Sequence, residues 1–321
     1  MNFFPNIRIL YIILIFVFLY GCSNTEKLVL NDKINKQKIF NNLKKINDKG
    51  STFNKIIKPE LQHNIKQFIE KTIPGSEISI LSSENQKPEI QITKIEELYN
   101  SNELRNTFFW QGSILHHDGG NRNTLNLGLG YRNLSKNKQW LNGINLFYDE
   151  EFPYNHRRTS VGLEIKNYAF EITSNRYWNL TNWKTGKNNK KEKALGGYDL
   201  DLGIQIPYVP SAKLHAQIFN WETKNISSDN KGEKIYFNLN SPFKKGWNVQ
   251  TGYKYNRIGP NTGFFNINYN WQFGKKDEIK TNSFFSKEPF VVKDMTNRRL
   301  EKVRRENKII KATSGFTLSF R

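Results

Sequence analysis

The stretch Phe265-Asn266-Ile267-Asn268-Tyr269-Asn270-Trp271-Gln272-Phe273 decides the fold class. Every odd-numbered residue is apolar or aromatic, and every even-numbered one is an uncharged amide. Successive side chains on a strand point to opposite faces, so this segment carries one apolar face and one polar face. A soluble sandwich would put more Lys and Glu on the face that meets bulk water. Asn, Gln, Gly and Ser predominate instead, and the apolar face ends in aromatics. That pattern suits a membrane barrel with a wet lumen and an aromatic girdle.

Working outward, the alternation recurs. Leu125, Leu127, Leu129 and Tyr131 oppose Asn126, Gly128, Gly130 and Arg132, and Tyr198, Leu200, Leu202, Ile204 and Ile206 oppose Asp199, Asp201, Gly203 and Gln205. Trp247, Val249, Thr251, Tyr253 and Tyr255 oppose Asn248, Gln250, Gly252 and Lys254. A charge on the lipid face at mid-bilayer costs roughly 2–4 kcal/mol. Arg132, Asp199, Asp201 and Lys254 are therefore expected to face the lumen. Phe265, Ile267, Tyr269, Trp271 and Phe273 are expected to face lipid, the aromatics among them also serving as a terminal signal in barrel assembly.

Period-two segments predict twelve strands, near 77 to 83, 89 to 98, 105 to 115, 124 to 132, 140 to 148, 158 to 166, 169 to 178, 197 to 206, 212 to 221, 233 to 240, 247 to 256 and 263 to 273. An even number suits a bacterial barrel with both ends in the periplasm. From the third strand on, longer and shorter connections are expected to alternate. The longer set is taken to be extracellular. Residues 23–75 carry helix-like spacing, including Ile39, Leu43 and Ile46, and then Leu61, Ile65 and Phe68, with a stop at Pro74-Gly75. They predict a polar periplasmic lead-in. The fold class is thus an all-β transmembrane antiparallel barrel over 76–274, preceded by a short helical region and followed by a linker and tail over 275–321.

At the N-terminus, Arg8 precedes an uncharged apolar run, Ile9 to Tyr20, which fits the core of an export signal over residues 1–22. It closes on Leu19-Tyr20-Gly21-Cys22, similar to a lipoprotein cleavage box apart from the bulky Tyr20. Lipidation of Cys22 and ordinary cleavage nearby both stay open. As the only cysteine, Cys22 leaves no intramolecular disulfide or Cys-ligated zinc site in a monomer.

The formal charge is +20 with a pI near 9.8. Nucleic acid is discounted, because the lysines are scattered and no nucleic-acid-binding motif accompanies them. One basic cluster, Lys184 to Lys193, reads as a solvated flexible loop, with attraction to lipopolysaccharide or a partner surface as the alternative.

Chemistry-bearing residues have structural explanations. His116-His117-Asp118 reads as a solvent-facing hairpin loop rather than a metal site, with no second ligand cluster in support. Asp149-Glu150-Glu151 lacks the spacing of a calcium loop and reads as loop-structuring. Asp199 and Asp201 are expected to pair with lumen Arg and Lys rather than perform hydrolysis. No enzyme activity and no cofactor are expected.

Thr124 to Arg132, Trp140 to Asp149 and His156 to Glu164, followed in order by Asn175 to Trp178, Trp183, Gly197 to Leu200, Pro207 to Pro210, Ala212 to Leu214 and Trp271 to Gly274, resemble the β-domain of the intimin and invasin family, the inverse autotransporters. The resemblance implies a twelve-stranded barrel in the outer membrane of a Gram-negative bacterium, inserted by the barrel-assembly machinery among outer-membrane lipids and lipopolysaccharide. It also implies a linker threading outward to an extracellular passenger. Val303 to Ile310 is similar to the family's post-barrel segment, with Arg305, Asn307 and Ile309 the best match; a solvated tail is the bland alternative. With such a linker in the pore, Arg132, Asp199, Asp201 and Lys254 are expected to contact it. The chain then stops at Arg321, so a passenger-poor anchor is expected, with Gly315 to Phe320 as a short terminal strand. The rival functions are a passive porin-like channel with a periplasmic tail and a soluble surface lipoprotein with a β-sandwich.

Overall fold

The computed structural model describes residues 76–82, 87, 89–101, 103–223, 230–240, 247–257, 261–272 and 285–314. The export signal, Cys22, the lead-in over 23–75, Phe273 and Gly315 to Phe320 lie outside the described residues.

Among the described residues, twelve antiparallel strands form one closed barrel: β1 (Glu77–Ser82), β2 (Glu89–Asn100), β3 (Asn106–His117), β4 (Arg122–Leu134), β5 (Leu141–Phe152), β6 (His156–Lys166), β7 (Phe170–Asn179), β10 (Gly196–Ile206), β11 (Val209–Glu222), β12 (Asn230–Asn240), β13 (Trp247–Asn256) and β14 (Thr262–Gln272). Each barrel strand pairs with the next barrel strand along the chain, β7 with β10 across the intervening stretch 180–195. The first and last close the ring, with Glu77 opposite Gln272 and Ile80 opposite Tyr269. A closed ring leaves no unpaired edge, the condition a sheet must meet to cross a bilayer. Among the described residues no helix is long and apolar enough to cross a membrane.

Burial is inverted relative to a water-soluble protein. Arg132, Arg158, Asp149, Glu151, Asn126 and Ser160 are fully buried, while Leu129, Ile144, Leu146, Leu163, Ile172, Leu202 and Ile235 are exposed on the outside. Water-soluble monomers rarely show so continuous an apolar surface, and hydrocarbon is the solvent that suits it. Exposed Trp140, Trp178, Tyr198, Tyr208, Tyr253 and Tyr255 add amphipathic rings to that wall.

One end of the barrel holds the start of β1 and the end of β14 and is called the terminal end; the other is the hairpin end. Strands extend further at the hairpin end than expected, because polar cross-strand pairs continue the ladder there. His116 Nδ1 lies 2.7 Å from Asn123 Oδ1, and Arg122 bonds Glu151. The turns after β3 and β5 shrink to 118–121 and 153–155. The expected contrast between long and short connections is correspondingly weaker, and the stretch 180–195 carries most of it.

That stretch corrects another expectation. Lys184 to Lys193 is a structured hairpin, β8 (Lys184–Thr185) and β9 (Lys191–Ala194), rather than a flexible loop. A further strand, β15 (Lys311–Thr313), pairs antiparallel with β9, Lys311 opposite Ala194.

Candidate functional site: the filled interior

The C-terminal segment Phe285–Ser314 crosses the barrel from end to end. It starts at the terminal end, where the Ser286 amide donates to Tyr208 O at 2.8 Å and the Tyr208 amide to Pro289 O at 2.9 Å. The Met295 amide then donates to Lys138 O at 2.8 Å, and Met295 is buried with Leu134 and Leu141. Val303 sits mid-barrel against Phe109 and Phe147, its amide donating to Gln111 Oε1 at 2.9 Å. At the hairpin end Ala312 packs with Tyr177, Leu195, Phe219 and Trp221.

Charge holds this segment as well as packing. Seven of its cations each meet a carboxylate of the wall. Arg298 reaches Glu171 at 2.8 Å, Arg299 reaches Glu97 at 3.0 Å, Lys302 reaches Glu77 at 2.8 Å and Arg304 reaches Glu171 at 2.9 Å. Arg305 reaches Asp149 at 2.7 Å, Lys308 pairs with Glu89, and Lys311 reaches Glu151 at 2.5 Å. Charges leaving water need partners at close range to offset desolvation, and each of these has one.

Arg305 is the best-held member. Its two terminal nitrogens donate to the two oxygens of Asp149 at 2.9 and 2.7 Å, and one also donates to Ser160 Oγ at 3.0 Å. Its guanidinium lies 4.3 Å from the centre of the Phe147 ring, a cation–π contact made inside a low-dielectric interior. Gly128 makes room for that ring: a Cβ there would fall 2.4 Å from Phe147 Cε1. Gly130 does the same for Phe109, whose ring underlies Arg132 at 4.6 Å.

Arg132 is fully buried, bonds Glu164, and donates to Arg299 O and Glu301 O, both at 2.7 Å. Asp199 and Asp201 are buried and meet the segment through tyrosines rather than by pairing with Arg or Lys. Asp199 accepts from Asn175 at 2.8 Å and from Tyr177 at 2.7 Å, and the Glu306 amide donates to that tyrosine oxygen. Asp201 lies 2.7 Å from His215 Nδ1 and accepts from Tyr236 at 2.7 Å, whose oxygen accepts from Arg304 at 3.0 Å. Lys254 Nζ lies 4.9 Å from the Phe219 ring centre. Asn307 donates to Gln91 Oε1 at 3.3 Å, and its carbonyl accepts from Asn126 at 3.0 Å. Ile309 is buried. On the outside, Phe265 is about half exposed, at 49%. Ile267, Tyr269 and Trp271 lie on β14 opposite Ser82, Ile80 and Ile78.

The two polar clusters that read as loops in the sequence lie on strands, apart from Asp118 in the turn after β3. His117 is buried on β3, 2.9 Å from Thr124 Oγ1 and 3.6 Å from Glu151. Asp149, Glu150 and Glu151 are all buried on β5, because Arg305 and Arg158, Arg157, and Arg122 and Lys311 respectively neutralise them. Glu151, His156 and Glu192 bring possible ligand atoms within 4.8 Å of one another. Arg122 already lies across both carboxylates, donating to Glu151 and to Glu192 at 2.7 and 2.9 Å. Its guanidinium supplies the positive charge a metal would bring, so this is an ion-pair network that fastens the hairpin to the wall. Burial pushes the Glu192 carboxyl up, but the Arg122 hydrogen bond and charge outweigh it and hold the group below its ordinary value.

Of the wall carboxylates, Glu77, Glu89, Glu97 and Glu171 carry no signal of their own in the sequence, while Glu151 reads there only as part of a loop. The signal that could have found their partners is the spacing of Arg299, Lys302, Arg305, Lys308 and Lys311, one cation in every three residues.

A closed antiparallel barrel with an apolar outer wall, filled by its own C-terminal segment, defines a transmembrane barrel of the anchor type. The inverse autotransporter β-domain family matches residues 30–307, and the chain belongs to that family. It is an all-β protein of the Gram-negative outer membrane, an anchor related to adhesins. The inverse autotransporter adhesin YeeJ of Escherichia coli (strain K12) is 27% identical over 179 residues, 53% of this chain and 7% of YeeJ. A putative attaching and effacing protein homolog of the same strain is 30% identical over 107 residues, 33% of this chain and 35% of that protein. Intimin of Citrobacter freundii is 27% identical over 119 residues, 36% of this chain and 12% of intimin. The match therefore spans a third or less of each of these relatives apart from the second, where it spans about a third. A structure solved under the description "Unveiling the Mechanism Behind the in-meso Crystallization of Membrane Proteins" shares the fold at a TM-score of 0.59 and 20% identity, covering 74% of this chain and 98% of that one.

Proposed function

We propose that the hairpin end faces the cell exterior and that the segment crossing the interior carries the chain's C-terminal end to the surface. The observation that carries this is the continuous series of ion pairs from Arg298 to Lys311, running from the terminal end to the hairpin end. A porin-like channel would need an open lumen, whereas this one is occupied by side chains and backbone of the same chain.

On this reading the barrel is an architectural, non-enzymatic anchor. Phe265, Ile267, Tyr269, Trp271 and Phe273 contact lipid, while Arg132, Asp199, Asp201 and Lys254 line the lumen and Arg305, Asn307 and Ile309 form the linker's docking motif. Insertion by the barrel-assembly machinery, lipopolysaccharide around the outer rim, and processing at Cys22 complete the proposal. Adhesion, named in relatives such as YeeJ, is carried here only as display of whatever follows Ser314.

Protease treatment of intact cells carrying an epitope tag after Arg321 tests the orientation. Cleavage of the tag without permeabilising the outer membrane is the expected result. Protection until permeabilisation would overturn it.

A further inference from the structure

The segment inside the barrel is a three-residue repeat. Arg299-Leu300-Glu301, Lys302-Val303-Arg304, Arg305-Glu306-Asn307, Lys308-Ile309-Ile310 and Lys311-Ala312-Thr313 each open with a cation, and four of the five carry an apolar residue second. Both positions of the repeat are used by the fold. The five leading cations meet Glu97, Glu77, Asp149, Glu89 and Glu151 of the wall. Among the second positions, Val303, Ile309 and Ala312 are buried, and Leu300 packs against the cluster of Phe109, Phe147 and Val303. Arg298 and Arg304, six residues apart, share Glu171.

A repeat of three on the chain, met by five separate carboxylates on the wall, has consequences for register. Displacing the segment by one residue sets Leu300, Val303, Glu306, Ile309 and Ala312, or Arg298, Glu301, Arg304, Asn307 and Ile310, opposite those five carboxylates. Displacing it by three residues brings the next leading cation to four of the five. We propose that the barrel interior is a register-reading receptor for an extended basic strand with a cation every third residue. Alternative resting registers then differ by three residues, and the register described here is the one in which all seven cations pair. This rests on the reading of the segment as an exported linker, for which such a track would set where the moving chain comes to rest.

Two insertions after Arg304 in the full-length protein test it. Adding a second Lys-Val-Arg triplet keeps six wall stations supplied with cations when the downstream part stays fixed, losing only the one held by Arg298. Adding one alanine keeps four, whichever side stays fixed: those of Arg305, Lys308 and Lys311 plus Arg299 in the place of Arg298, or those of Arg298, Arg299, Lys302 and Arg304. The readout is resting ion conductance of the purified barrels in planar bilayers, on protein shown by heat-modifiable migration to be folded. The longer insertion should conduct like the unmodified protein, and the shorter one at least about tenfold more, a factor that loss of one buried ion pair already exceeds. Equal conductance in the two variants, or a larger rise for the triplet, would overturn the register claim, since a strand that simply bulges absorbs one residue more readily than three. The same variants carrying the C-terminal tag separate the two proposals: a protected tag refutes surface display whatever the conductances show.

Discussion

Arg305 and Asp149 meet as a two-pronged ion pair, at 2.9 and 2.7 Å, with both side chains wholly buried in the middle of a membrane protein. Asp149 also takes Arg158 at 2.9 Å. A carboxylate between two guanidiniums is the point at which wall and linker are most tightly joined.

Removing that carboxylate with Asp149→Asn strands two buried cations. Breaking a buried pair costs about 3–5 kcal/mol, so thermal unfolding of the detergent-solubilised barrel, followed by loss of heat-modifiable migration, should shift clearly downward. Arg305→Gln added to Asp149→Asn should restore part of the loss, because one of the unpaired charges is then gone. An additive double variant would mean that the pair is not coupled.

Gly128 is a packing position. A side chain there collides with Phe147, the ring beneath Arg305. Overpacking of a filled interior costs about 1–3 kcal/mol. Gly128→Val should therefore lower stability and weaken retention of the linker, read as increased proteolysis of the 285–314 segment. Gly263, where a Cβ meets nothing within 4 Å, is the control, and Gly263→Ala should be silent by the same assay.

The outer wall answers to hydrocarbon. Leu129→Arg or Ile144→Arg puts a charge on that wall at a cost of about 2–4 kcal/mol near the bilayer midplane. Less folded barrel should reach the outer membrane, measured as the heat-modifiable fraction. Unchanged amounts would argue against lipid contact at these positions.

The hairpin's attachment should depend on pH. Burial raises Glu192, the Arg122 hydrogen bond and charge outweigh that, and the folded carboxyl sits below its ordinary 4.5. A depressed carboxyl contributes stability that is present above its unfolded value and is lost as pH falls through the folded one. A fluorophore at Lys190→Cys, with Cys22 replaced, should be immobile at neutral pH and gain mobility as the solution is acidified below the ordinary glutamate range. Glu192→Gln should give the mobile state already at neutral pH.

Much of this architecture was legible because a strand's period of two survives in the sequence wherever one face meets lipid. Leu129 against Gly130 and Leu202 against Gly203 read directly as outside and inside, and the strand positions followed to within a few residues. What the period could not show was how far the ladder runs past the membrane. His117, Asp149 and Glu151 looked like loop residues because their polarity is balanced by Arg122, Arg305 and Lys311, residues distant in sequence. The hairpin 184–194 has the composition of a solvated loop for a related reason: its lysines dominate, while its one inward carboxylate, Glu192, decides the contact. The linker's three-residue repeat was present in the sequence throughout. It became meaningful only once Glu77, Glu89, Glu97 and Glu171, spread over three strands, were seen to converge on it.

The most direct measurement is thiol cross-linking between wall and linker in native outer membranes. With Cys22 replaced, Gln91→Cys and Asn307→Cys place thiols at positions whose native side chains meet at 3.3 Å inside the barrel. A short bifunctional reagent should join them within one chain, giving a compact species with altered migration, while Asn307→Cys paired with a cysteine at outward-facing Leu129 should not cross-link. Failure of the first pair to join in folded barrels, or equal joining of the second, would contradict a linker threaded through the interior.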